Sequence, residues 1–332
     1  MFTFAGKLHI NNFSCIMANV IKIKKGLDIN LKGKASDVLL NGGKSDSYAI
    51  VPDYYNGILP KVVAKVGEKV KAGSVLMIDK NRPEIKFVSP VSGEVTAVNR
   101  GEKRKVLSIV VKPDAQIEYE EFGKKNVASL QGAEVKEVLL NAGMWPFIKQ
   151  RPYDIVAAPL DTPRDIFVSA FYSAPLAPNF DFIVKGQEAD FQTGLNALAK
   201  LTNGKVYVGV RSGSVVSGVK GVEIVEVEGP HPAANVGVQI NHIKPVNKGE
   251  VVWTVNPADV IVIGRLFNKG VADFSRMVAI TGSETTERGY VKTISGCTIK
   301  SLVNGKVLGQ EHIRIISGNV LTGTKVNMDG YL

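Results

Sequence analysis

Two short stretches concentrate side chains that could hold a flat, carbonyl-bearing ring. One is Asp53-Tyr54-Tyr55-Asn56-Gly57-Ile58-Leu59-Pro60-Lys61, and the other is Met144-Trp145-Pro146-Phe147-Ile148-Lys149-Gln150-Arg151-Pro152-Tyr153. A ring such as a quinone needs an apolar slot and one or two donors for its carbonyl oxygens, which aromatics combined with Arg, Lys, Tyr or Asn supply. Tyr54, Tyr55, Asn56, Gly57, Lys61, Trp145, Phe147, Lys149, Arg151 and Tyr153 are therefore the candidate binding residues. The competing reading is that these aromatics only fasten two domains together.

Other constellations carry less chemistry. GVRSGSVVSG places Gly209, Gly213 and Gly218 in a row, but the spacing is not G-x-G-x-x-G and no helix start follows to receive a phosphate, so turn formation explains it. His231 and His242 flank PAANVGVQIN without an acidic or Cys partner at ligand spacing, and no metal site is expected. Four histidines give no serine or cysteine a marked partner, so no catalytic residues are assigned. Ser295-Gly296-Cys297-Thr298 resembles sequences that carry covalently attached flavin, but the upstream acidic signature is absent from KTISGCT, and Thr298 reads as a helix cap. Lys80, in DKNRPE, stands at the edge of a proline turn and reads as a surface lysine, not as the apical lysine of a swinging arm.

The elements that must position these groups fall into three textures. From Val20 to about Val111 short strands alternate with glycine turns, and GILPKVVAKVGEKVKAGSVLMI and FVSPVSGEVTAVNRG form two matching halves with turns at Gly67-Glu68 and Ser92-Gly93. That is the layout of lipoyl and biotinyl carrier domains. SLQGAEVKEVLLNAG then offers a helix from a Ser129 cap to a closing Gly143. Strand-like runs follow at 154–160, 165–171, 181–186, 205–210 and 222–228, with a helix in EADFQTGLNALAKLTNG. Apolar strands interleaved with helices predict a partly parallel sheet of Rossmann-like type. After Arg276, short strands with one helix at 298–304 suggest a small β-grasp module. The expected parts are a leader at 1–16, an all-β domain at 17–122, an α/β domain at 123–275 and the β-grasp module at 276–332. Met17 is expected to be the true start, which leaves Cys15 outside the functional chain.

Composition removes whole classes of function. No apolar run approaches the roughly 18–20 residues of a membrane span, so no transmembrane segment is expected. Two cysteines, Cys15 and Cys297, are too few for a disulfide framework or an iron–sulfur ligand set, and point to a reducing compartment. The net charge of +10 is spread along the chain instead of forming a stripe, which argues against nucleic acid.

The blocks MANVIKIKKGLDINLKG, KFVSPVSGEVTAVNRGEKR, GMWPFIKQRPYD, VEGPHPAANVGVQINHIKPV, VVWTVNPADVIVIGRLF and RIISGNVLTG, in this order, resemble the A-subunit family of the sodium-translocating NADH:quinone oxidoreductases. The resemblance runs from Met17 to Gly323. It implies a barrel-sandwich hybrid, a Rossmann-like α/β domain and a β-grasp module of SLBB type. It also implies a peripheral subunit on the cytoplasmic side of the bacterial inner membrane, with no bound flavin or iron–sulfur cluster. The expected partners are the other subunits of the membrane complex and a quinone of ubiquinone or menaquinone type. The quinone-associated segments of the family carry over onto Tyr54 to Lys61 and Phe147 to Tyr153. Asn30 departs from the proline usual after GLDI, and the family's region beyond the GTK at 323–325 is missing, so the chain is expected to be a fragment. The alternative is a flavin- and NADH-binding electron-transfer subunit like the C subunit of the Rnf complex or its counterpart in complex I. A modified carrier lysine at Lys80 is a third.

Overall fold

The computed structural model describes residues 19–309 and 313–332; the expected leader and Cys15 lie outside the described residues. The all-β part is built from two sheets, Tyr48–Ile50, Val106–Pro113, Gly93–Arg100 and Lys69–Val70 in one, Pro60–Val62, Val75–Asp79 and Lys86–Val88 in the other. Their inward side chains, among them Leu76, Met77, Phe87, Val95, Ile109 and Val111, are almost fully buried. This is the carrier-like sandwich, but its central hairpin ends differently from a carrier's. Asp79 at the end of the hairpin strand is buried and accepts from Leu59 N (3.1 Å), Asn81 N (3.1 Å) and Arg82 Nε (2.7 Å). Arg82 then donates to the carbonyls of Val156 (3.0 Å) and Gly57 (2.8 Å). The hairpin tip is thus a clasp onto the next domain, and Lys80 projects into solvent beside it.

A seven-stranded sheet follows, in the order Asn19–Lys22, Glu223–Glu228, Val206–Val210, Ile166–Ser169, Val252–Val255, Ile148–Arg151 and Ile155–Val156. Its first five strands are parallel, Ile148–Arg151 runs against them, and Ile155–Val156 turns back antiparallel to Ile148–Arg151. Five helices belong to this part: α1 (Gly132–Asn141), α2 (Phe180–Val184), α3 (Glu188–Ala199), α4 (Val236–Ile243) and α5 (Pro257–Lys269). Side-chain alternation sorts them between the faces. Ile166, Val168 and Trp253 cluster with Leu195, Leu198, Val260 and Ile263 of α3 and α5, whereas Phe167 and Val252 cluster with Ile240 of α4.

Helices α3 and α5 cross where glycine meets glycine. A Cβ on Gly264 would collide with the Asp190 carbonyl, and one on Gly194 with the Val260 carbonyl, so both positions must lack a side chain for the helices to touch. Gly209, one of the three glycines in GVRSGSVVSG, has a comparable reason. Buried Gln239 lies directly over it and donates to Ser169 Oγ (2.9 Å) and Ala233 O (3.0 Å).

The last part pairs Ser275–Ile280 with Gly289–Ile294, adds Leu39–Leu40 in parallel, and closes with α6 (Ile299–Val303) and the hairpin Ile315–Ser317/Thr324–Val326. Thr298 caps α6, accepting from Ser301 N (3.3 Å). Arg265, 4% exposed, ties α5 to this module: it donates to Asp273 O (3.0 Å), to Ser275 O and Oγ (2.9 and 2.8 Å) and to Gln187 Oε1 (2.6 Å). Burial works against the Asp273 carboxylate, but the Ser275 hydroxyl and the Arg265 guanidinium outweigh it and hold the group down at about 2.

Three local expectations differ from the fold. The run at 181–186 is helical because Asn179 caps it, accepting from Asp181 N (3.1 Å), and its buried residues Phe180, Ile183 and Val184 follow helical spacing. Helix α1 starts later than Ser129, with Gln131 and Glu134 forming a capping box. The first strand, read with the all-β domain, pairs with Glu223–Glu228 at the edge of the α/β sheet.

Two outcomes are expected. Gly264→Ala should lower the unfolding free energy by about 1–3 kcal/mol in urea titrations, since the helices must part. Asp273 has a depressed carboxyl, so its stabilising contribution is complete above the ordinary 3.8 and fades as pH falls toward about 2. Asp273→Asn should therefore be less stable than the native chain at pH 7, with the difference shrinking through that window.

Candidate functional site

All three parts of the chain meet around one cavity of about 260 Å³. The all-β domain contributes Ile50, Tyr55 and Phe87, the α/β domain Phe147, Lys149 and Asp259, and the β-grasp module Phe274, Arg276 and Gly296. Each arrives for a local reason. Tyr55 ends a short 3-10 turn that starts at Pro52, and Phe87 stands on the hairpin strand beneath it, the rings 4.7 Å apart and edge-on. Trp145, Pro146 and Phe147 form a 3-10 turn after α1, and Phe147 meets Phe274 with centroids 6.2 Å apart. The result is a slot walled by these four rings, with Tyr54 also in its lining, and aromatic pairs prefer such tilted arrangements.

Three charges sit in that wall. Asp259 lies in the first turn of α5, where the Asn256 cap and Pro257 fix the helix start, and its Oδ1 is 3.0 Å from Arg276 Nη2. Burial pushes the Asp259 carboxyl up; Arg276 and Lys149 pull it back without restoring it. Burial likewise pushes the Lys149 ammonium down, with Asp154 and Asp259 opposing. Lys149 Nζ lies 5.5 Å from the Tyr55 ring centroid, a cation–π distance. The Tyr55 hydroxyl is pushed up to about 12, chiefly by burial.

A larger cavity of about 710 Å³ lies on the other side of Phe147, Lys149 and Asp259. It opens at the carboxyl ends of Ile166–Ser169 and Val252–Val255, where Ser169, Phe171, Tyr172, Thr254 and Asn256 line it. Because the strand order reverses between these two strands, this crevice is where α/β sheets generally receive ligands. Arg151 and Asp154 also face it, 3.4 Å apart as an ion pair.

The ten residues proposed from sequence divide accordingly. Tyr54, Tyr55, Phe147 and Lys149 line the smaller cavity, and Phe147, Lys149 and Arg151 line the larger. The other five do not line either cavity. Trp145 is fully buried core, donating to Ala157 O (2.8 Å) and packed edge-on against Trp253 at 5.4 Å. Asn56 and Gly57 are spent on fixing the neighbouring strand: the Asn56 carbonyl accepts from Val156 N (2.9 Å), and Gly57 must be glycine because a Cβ would strike Ile155 at 2.6 Å. Lys61 and Tyr153 are exposed. The aromatics do both jobs at once, since the rings that fasten the domains also leave the slot between them.

Sequence reasoning missed Phe87, Asp259, Phe274 and Arg276. The Asn-Pro start of α5 was a legible signal that Asp259 opens a helix, but nothing local announces that Arg276 turns toward it. His231, set aside as a ligand, hydrogen-bonds Ser173 Oγ through Nδ1 (3.0 Å), while its backbone N donates to Asp28 (2.8 Å).

Comparison with known proteins covers almost the whole chain. Residues 21–114 match the family described as the NqrA N-terminal barrel-sandwich hybrid domain, 130–272 the NqrA second alpha/beta domain, and 277–328 the NQRA C-terminal domain. The A subunit of the Na(+)-translocating NADH-quinone reductase of Photorhabdus laumondii is 37% identical over 92% of this chain and 69% of its own length. That of Hahella chejuensis is 38% identical over the same shares. A chain of the NAD+-reducing [NiFe]-hydrogenase aligns with a TM-score of 0.36 at 10% identity, over 65% of this chain and 51% of that one, too distant a likeness to carry an argument. With the three matched domains in order and 37–38% identity over most of the relatives' length, the chain belongs to the NqrA family, the A subunits of the Na(+)-translocating NADH-quinone reductases.

Proposed function

We propose that the chain acts as a peripheral subunit on the cytoplasmic side of a bacterial respiratory membrane, and that the junction cavity receives the ring of a ubiquinone- or menaquinone-type quinone. The observation that carries the reading is the slot itself. Four rings, Tyr55, Phe87, Phe147 and Phe274, enclose a space beside Lys149 and Arg276, the combination of flat apolar walls and cationic donors that a quinone ring requires. Arg276 Nε is buried and has no hydrogen-bond partner among the described residues, so the slot holds an unspent donor.

In this reading the electrons come from elsewhere. Two cysteines in the whole sequence cannot ligate an iron–sulfur cluster, and no glycine-rich turn precedes a helix that could cradle a flavin or nucleotide phosphate. Among the described residues no helix is long and apolar enough to cross a membrane, which leaves sodium transport to partner subunits. The chain contributes docking surface and a wall of the quinone site.

Titration of the purified protein with ubiquinone-1 tests this directly. Phe147→Ala and Tyr55→Ala should each raise Kd about tenfold, roughly 1.4 kcal/mol. Lys61→Ala and Tyr153→Ala, away from the cavity, should leave it unchanged. Saturable binding indifferent to the first pair would place the ligand elsewhere.

A further inference from the structure

A quinone that accepts two electrons also takes up two protons, and a slot walled by four rings offers few sources. Phe147, Lys149 and Asp259 line the junction cavity and the larger crevice alike. They stand where the two spaces adjoin, and the larger one also has Ser169, Thr254 and Asn256 in its lining. The two carboxylates whose charge reaches the Lys149 ammonium are already engaged, Asp154 by Arg151 at 3.4 Å and Asp259 by Arg276 at 3.0 Å. Lys149 therefore lines both cavities beside the Tyr55 ring as the cation of this group without an ion pair of its own among the described residues.

We propose that Lys149 is the proton donor to the bound quinone and is refilled from the larger crevice past Asp259. The assignment rests on the quinone reading of the junction cavity. As two electrons arrive from NADH by way of the partner subunits, one carbonyl oxygen forms an O–H bond while an N–H bond of the Lys149 ammonium breaks. The second carbonyl oxygen takes its proton from solvent, so that quinone, two electrons and two protons give one quinol. The neutral amine left behind regains its proton from water in the crevice, and the adjacent Asp259 carboxylate favours that return.

The surrounding groups fit the role. Tyr55 from the all-β domain, Asp154 from its own hairpin and Asp259 from α5 act on the ammonium, while Arg151, Arg276 and Tyr172 line the same two cavities. Burial makes Lys149 a readier donor than a surface lysine. The same burial raises the hydroxyls of Tyr55 and Tyr172, which makes both poorer proton sources.

Lys149→Arg in the assembled complex separates proton donation from charge, because a guanidinium keeps the charge and the hydrogen-bond donors but does not release a proton. The variant should bind ubiquinone-1 within about threefold of the native complex, yet its NADH-driven quinone reduction should fall about 100-fold. Reduction of ferricyanide, which takes up no proton, should be unaffected. Lys149→Ala should regain quinone reduction when ethylamine is added. Native turnover in Lys149→Arg, or no response of Lys149→Ala to the amine, overturns the donor role while leaving the cavity reading intact. Unchanged ubiquinone-1 affinity in Tyr55→Ala and Phe147→Ala overturns the cavity reading and the donor role together.

Discussion

A carboxylate removed from water must find a counter-charge, and Asp259 finds its own in a different structural unit. The residue is fixed by the start of α5, in the α/β domain, while Arg276 stands on the first strand of the β-grasp module, 3.0 Å away. The pair is partly exposed, its Arg276 and Asp259 side chains keeping 25% and 16% of their accessibility, so losing one member costs less than the roughly 3–5 kcal/mol of a fully buried pair. The pair is one of several contacts that set how the two units sit together. Phe274 is brought to Phe147, Gly296 to the backbone of Ala49, and the all-β domain closes the third side with Tyr55. A buried cation, Arg265, anchors the same two units at the other end of α5 through the carbonyls of Asp273 and Ser275.

The all-β domain shows how a carrier-like scaffold can commit its hairpin end to structure. A swinging arm needs a mobile lysine at a hairpin apex. Here the hairpin end is committed to structure: Asp79 gathers two backbone N–H groups and the Arg82 guanidinium, and Arg82 reaches across to Val156 and Gly57. Those carbonyls belong to the two segments that deliver Tyr55 and Lys149. The clasp thus holds the walls of the slot in register, a structural use of the position that chemistry occupies in carriers.

Much of this was legible in the sequence wherever a local rule decides the outcome. The glycine-turn sandwich, helix α3, the cap at Thr298 and the two aromatic loops were all readable, and the order of the short sequence blocks pointed to the family. Legibility failed in three physical situations. Helix α5 is buried at every residue from Val260 to Phe267, so its apolar run reads as easily as a buried strand. Helix α2 spans only five residues and its apolar pattern also fits a strand, which left the Asn179 cap as the sole discriminator. Long-range pairing was invisible: nothing near Asn19 says that it begins the edge strand of a sheet whose neighbouring strand is Glu223–Glu228, and nothing near Asp259 names Arg276. The site suffered from the same limit. Tyr55, Phe147 and Lys149 were found from composition, whereas Phe87, Asp259, Phe274 and Arg276 join them only once three units are assembled.

In the proposed function a single ligand is held where three units meet. Amide hydrogen exchange of the purified protein, with and without saturating ubiquinone-1, reads all three walls at once. The slot predicts slowed exchange together in the segments around Tyr55, around Phe147 to Lys149 and around Phe274 to Arg276. Slowing confined to one of these, or found only at distant surfaces, would contradict it.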